Sequence, residues 1–139
     1  MPNRQANKRV VSEYVAAFNA RNYDKLRTLF ARNAIIYGVL GKGGIDVAEP
    51  IWRELHSGLN MQLHVDEMIA EGDAVAVRYK ERGQFTAPFR GHAPTGQGYE
   101  VVAMEWFILH DEKIVQRWGA GDAMTIARQI GMPLSSLWT

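Results

Sequence analysis

The sequence predicts an α+β fold in which helices come first and an antiparallel meander of strands follows. Two observations carry that expectation. Up to about Gly58 the apolar residues recur with the spacing of helices, and beyond it the period drops to two. The later segments are also joined by short turn signals, at Gly72-Asp73 and at His110-Asp111-Glu112. A curved, mixed or antiparallel sheet of four or more strands, covered on one face by three N-terminal helices, would form a cone. Such a cone leaves a pocket between its layers, where small apolar ligands tend to bind.

Taken in order, Val10, Val11, Tyr14, Val15 and Phe18 mark an amphipathic helix from about Asn3 to Ala20. Asn22 is placed to cap a second, shorter helix carrying Leu26, Leu29 and Phe30. Asn33 to Tyr37 reads as a short strand, and the glycine-rich run Gly38 to Gly44 as a mobile connection. It does not match a phosphate loop. Asp46 or its neighbours open a third helix, with Pro50 expected in its first turn and Ile51, Trp52 and Leu55 facing inward. Strands are expected over Met61 to Ile69, Ala74 to about Phe85, Tyr99 to Leu109 and Lys113 to Asp122. Between the second and third of these lies a loop whose turn is expected at Pro94 to Gly96. A short helix from Ala123 to Ile130 ends at Gly131 and Pro133.

The 139 residues suit one domain, residues 1–139, with ordinary globular composition: 47% hydrophobic and 22% charged. The net charge of +1, with Lys and Arg scattered, gives no electrostatic footprint for nucleic acid or an anionic membrane. The absence of cysteine excludes disulfides and thiolate metal sites, and the four His residues lack close metal-ligand spacing. No apolar run approaches the ~20 residues that span a bilayer. The polar stretch Met1 to Arg9 carries no secretory signal, so a cytoplasmic location is the default expectation.

Chemistry is suggested most by the last strand. Under regular alternation Ile114, Gln116, Trp118, Ala120 and Asp122 share one face, although Gly119 and Gly121 could admit a bulge. Asp122 has two readings: a carboxylate at the end of an apolar face, or the N-cap of the helix that starts at Ala123. Glu105 shares the phase of Val101, Ala103, Phe107 and Leu109, which favours burial slightly, in the pocket or equally against a dimer partner; facing outward it would pair with Arg78 or Lys80. A buried Glu105 would have a raised pKa and could act as a neutral donor. Tyr14 lies on the apolar stripe of the first helix, as a core residue or as a donor to a substrate oxygen. Phe18, Trp118, Trp106, Tyr37 and His64 are candidate pocket walls; His64, which alternates with Gln62 and Asp66, is equally compatible with a solvated position. Arg78, Lys80, Arg82 and Gln84 give one face of their strand polar cover. Apolar residues elsewhere on the outer face point to a homodimer.

Several segments together resemble a known family. Ile69 to Arg78, Gly91 to Gly96, Lys113 to Trp118 followed by Asp122, and Gln129 to Gly131 are similar to the SnoaL-like polyketide cyclases of the nuclear-transport-factor-2-like (NTF2-like) superfamily. The resemblance covers nearly the whole chain. It implies a dimeric, cofactor-free enzyme with a closed apolar pocket, holding a small carbonyl or polyketide-like ligand. In the best-known members a ring closes by intramolecular aldol condensation, and the position of their essential acid/base is Asp122 here. Phe85 stands where a His is frequent in that family, and Gln116 where a Glu is common. Glu13 to Asn19 and Met104 to Leu109 also resemble segments of ketosteroid isomerase, which places Tyr14 and Glu105 at its oxyanion-binding positions. The base of that enzyme would fall near Gly38, where no carboxylate stands. The function expected is therefore cyclase-type acid/base chemistry, by aldol condensation or a related isomerisation. Asp122 would be the acid/base, with Tyr14 and Glu105 as oxyanion donors. The alternative is a non-catalytic ligand-binding or dimerisation module on the same fold.

Overall fold

The computed structural model describes residues 3–38 and 40–133; Val39 and the two ends lie outside it. The first helix, α1 (Arg4–Asn19), begins where Asn3 accepts a hydrogen bond from the Ala6 N–H. It buries Val10, Val11, Tyr14, Val15 and Phe18, the stripe its spacing predicts. The next helix, α2 (Tyr23–Thr28), is capped by Asn22 as expected. β1 (Phe30–Gly38) follows, longer than the short strand read from the sequence.

Part of the glycine-rich run, expected as a mobile connection, is a strand. Gly41–Gly43 forms β2, paired antiparallel to the end of β1. α3 (Ile45–Leu59) starts without a side-chain cap, and Pro50 lies in its second turn rather than its first. There the ring forfeits the hydrogen bond its missing N–H would have made four residues back and crowds the carbonyl of that residue.

β3 (Gln62–Glu71), β4 (Ala74–Gln84), β5 (Gly98–His110) and β6 (Lys113–Gly121) form the meander. α4 (Ala123–Ile130) then closes against Gly131 in a left-handed conformation. The sheet has the order β2-β1-β6-β5-β4-β3, antiparallel except where β1 runs parallel to β6. Its curved inner face packs on α1 and α3, giving the expected α+β cone. The turn placed at Pro94–Gly96 sits upstream instead. Phe89 and His92 exchange backbone hydrogen bonds of 3.1 and 3.0 Å around Arg90 and Gly91, both at positive φ. That is the mirror-image turn that suits a tight reversal.

Two apolar clusters result. The larger joins α1, α2 and α3 to the inner face of the sheet around Tyr14, Leu26, Tyr79 and Phe107. The smaller sits under α4, around Phe85, Phe89, Tyr99 and Ile130.

One irregularity decides what faces inward. Ile108 pairs with Gln116 but Leu109 pairs with Ile114, so Val115 is an extra residue in β6. A one-residue slip turns every later side chain to the other face. Ile114 is buried as expected, but beyond the bulge the inward residues are Arg117, Gly119 and Gly121. Trp118 faces outward.

Candidate functional site

Between α1, α3 and the sheet lies a cavity of about 140 Å3, room for one aromatic ring. Its walls are mostly apolar: Phe18 from α1, Trp52 and Leu55 from α3, and Ile36 from β1 are among them. Exposed lining residues at Gly41, Val47, Met104 and Ala120 mark where it meets solvent. The polar side chains that line it are Tyr14, Tyr79, Glu81, Glu105 and Arg117.

Glu105 and Arg117 meet across the β5–β6 pair. Arg117 Nη1 donates to Glu105 Oε2, and both side chains are about nine-tenths buried. Tyr14 donates to the same oxygen at 3.2 Å, and Tyr79 to Glu105 Oε1 at 2.7 Å. A guanidinium can only donate, so Glu105 serves here as an acceptor. The expected neutral donor at Glu105 is not what the geometry provides. Tyr14 is equally engaged: its single O–H points at Glu105. Burial first, and the Glu105 charge second, push both tyrosine hydroxyls well above their usual range. Burial opposes the charge on Arg117, and the Glu105 carboxylate more than offsets it.

The second polar group is one that the sequence reading passed over. Glu81 alternates on β4 with Val75, Val77 and Tyr79, so it points into the cone and is only 7% exposed. Tyr99 donates to its Oε2 at 2.9 Å. Oε1 has no hydrogen-bond partner among the described residues, and Glu81 lines the cavity. Burial raises its pKa to about 7, against the lowering effect of the Tyr99 bond. Gly83 makes this arrangement possible. A Cβ there would overlap the Tyr99 ring and the Leu59 carbonyl oxygen, so only glycine lets that ring cross β4 toward Glu81.

The remaining sequence candidates divide clearly. Tyr14, Glu105 and Phe18 line the cavity as expected. Asp122 is exposed and lies outside the lining. Its Oδ1 accepts from the Thr125 N–H at 3.0 Å and its Oδ2 from the Thr125 hydroxyl at 2.7 Å. Those bonds hold its pKa below the ordinary value, the signature of the cap reading. Trp118 is not a pocket wall, because the Val115 bulge turns it outward. There it stacks on Tyr37 with ring centroids 5.1 Å apart, and that takes Tyr37 to the outer face as well. Trp106 pairs with Trp118 across β5 and β6 and is half exposed. His64 is solvated on β3. Among the described residues no cluster of three or more His, Asp or Glu is placed to hold a metal ion.

A family model described as SnoaL-like polyketide cyclase matches residues 8–130. The chain belongs to the SnoaL-like polyketide cyclase family. This SnoaL-like chain is similar in structure to IdmH from Streptomyces antibioticus, with 25% identity and a TM-score of 0.82, over 91% of this chain and 99% of that one. It is also similar to TsrD from Streptomyces laurentii, at 21% identity and a TM-score of 0.83, over 96% and 100% of the two chains. A protein of ketosteroid isomerase-like fold from Catenulispora acidiphila, solved in complex with trimethylamine, is 18% identical with a TM-score of 0.77. That likeness covers 94% of this chain and 96% of the other. No curated protein matches. The structural likenesses under 25% identity establish the NTF2-like fold of the SnoaL-like chain and nothing finer. No helix among the described residues is long and apolar enough to cross a membrane.

Proposed function

We propose that this SnoaL-like protein carries out acid/base chemistry without a cofactor on an apolar carbonyl compound, and that Glu81 is its acid/base. The observation that carries this reading is a buried carboxyl group on the cavity wall, with one oxygen unbonded among the described residues and a pKa raised to about 7. A group titrating near neutrality can both take and return a proton, which an aldol ring closure needs. As a carboxylate, Glu81 removes a proton from the carbon next to a substrate carbonyl. The enolate carbon then bonds to a second carbonyl of the same molecule, and the alkoxide so formed takes the proton back from Glu81. Isomerisation needs the same two transfers without the new bond. Glu81 takes the role that the family resemblance gives to Asp122, because Asp122 is exposed and both its oxygens are held by Thr125.

Carbon-bound hydrogen exchange tests this without knowledge of the natural substrate. 2-Indanone incubated in deuterated water should exchange its ring-methylene hydrogens faster with the protein than without it. Glu81→Gln should slow the protein-dependent exchange about 100-fold or more, and Asp122→Asn should leave it unchanged. Loss in Asp122→Asn with retention in Glu81→Gln would return the role to Asp122. Absence of any protein-dependent exchange would favour the non-catalytic binding module.

Dimerisation through the outer sheet face belongs to the same proposal. Val102, Met104, Trp106 and Trp118 are all exposed on neighbouring strands there, and so large an apolar patch suits burial against a second copy. The cytoplasmic location expected from the sequence is kept as part of this reading.

A further inference from the structure

The donors around Glu105 leave a specific vacancy in the chemistry. Tyr14 and Tyr79 each have one O–H, and both point at Glu105. Glu105 accepts from all three neighbours. Arg117 carries five N–H groups, and among the described residues one contact, from Nη1 to Glu105, accounts for the bonds it makes; its Nε is buried with no partner. Arg117 therefore supplies the remaining donors on this wall of the cavity. The guanidinium is held in place by the shape of β6. The side chain runs forward along its own strand over Gly119, where an added Cβ would come within 2.5 Å of Nη1.

We propose that Arg117 is the oxygen-binding subsite of this cavity and that it selects ligands whose oxygen is, or becomes, anionic: enolates, phenolates and the carbonyls that give rise to them. This rests on the cavity being the reaction site, as in the function proposed above, and assigns the electrophilic role to Arg117 instead of Tyr14 or Glu105. Glu105 is then a positioning residue that holds the guanidinium through a charge-assisted bond. The pair leaves no net charge in an apolar pocket, so the selection is for an oxygen at one place and not for anions in general. Glu81, on the same sheet wall two strands away, works on the carbon while Arg117 holds the oxygen.

4-Nitrophenol is the probe, because it fits a one-ring cavity and its ionised and neutral forms differ in colour. Binding is followed by absorbance at a pH below the Glu81 midpoint. The wild-type protein should bind it as the phenolate. Gly119→Ala, which displaces only the flexible end of Arg117, should weaken phenolate binding about 10- to 100-fold, the range of one charge-assisted hydrogen bond. Arg117→Met alone would strand a buried carboxylate, so the charge is removed in the double variant Glu105→Gln/Arg117→Met, whose fold is checked by circular dichroism. That variant should bind the neutral phenol. Neutral phenol bound by the wild type, no saturable binding by the wild type, or phenolate retained by the double variant would each overturn the assignment. Failure of the hydrogen-exchange test with Arg117-dependent phenolate binding intact would remove the Glu81 reading and leave this one standing.

Discussion

Glu81 and Asp122 show how one residue type takes opposite roles from its surroundings. Both are carboxyl groups on the sheet side of the fold, Glu81 within β4 and Asp122 just after β6. Glu81 is enclosed by apolar walls with a single donor, and its pKa rises; Asp122 sits in water with two donors from Thr125, and its pKa falls. Substitution should separate them cleanly. Asp122→Ala removes a helix cap, and the melting temperature should drop while 2-indanone exchange stays at the wild-type rate. Glu81→Gln should abolish the exchange and raise stability at neutral pH. Glu81 was legible in the sequence: it alternates with Val75, Val77 and Tyr79, opposite Arg78, Lys80 and Arg82. The inward phase of Glu105 was read by that same rule. The cap geometry at Asp122 was legible too, as one of two readings.

At the scale of elements, order and type followed from periodicity and caps, because local hydrogen bonding and amphipathic spacing decide them. Asn3 and Asn22 cap their helices, and Ala123–Ile130 has the expected bounds. The inner face of β6 did not follow. The glycines at 119 and 121 drew attention as bulge sites, yet the extra residue is Val115, placed where β6 must pair with both β5 and β1. Such a bulge is set by the partners of a strand and leaves no mark in its own residues. Trp118 and Arg117 exchange faces as a result, and with them the chemistry of the cavity wall. Gly83 is the element-scale counterpart. Gly83→Ala forces a Cβ into backbone and ring, so it should cost at least about 1–3 kcal/mol in chemical denaturation and weaken the Glu81–Tyr99 contact.

For the whole molecule, dimerisation and pH response are the readouts. The proposed dimer predicts that the wild type sediments as a dimer and Trp106→Lys as a folded monomer. The pH dependence of stability combines two buried groups of opposite sign. The folded-state pKa of Glu81 is raised from 4.5 to about 7, so the native state holds more protons and stability falls as pH rises through that window. Burial lowers His56 from 6.5 to about 4, so the unfolded state holds more protons and stability rises with pH there. Between 4.5 and 6.5 the two slopes offset each other. Glu81→Gln should uncover the His56 slope: the variant should lose stability on acidification through that range, and gain about 3 kcal/mol over wild type at pH above 7. The most direct measurement is the carboxyl titration of Glu81 in the folded protein, by NMR of labelled glutamate with Glu81→Gln to assign the signal. A midpoint near 7 is the predicted result. A midpoint at or below the ordinary 4.5 would contradict the central claim, because the carboxyl group would then not sit in a dry apolar site and would be too weak a base to match a reaction at neutral pH.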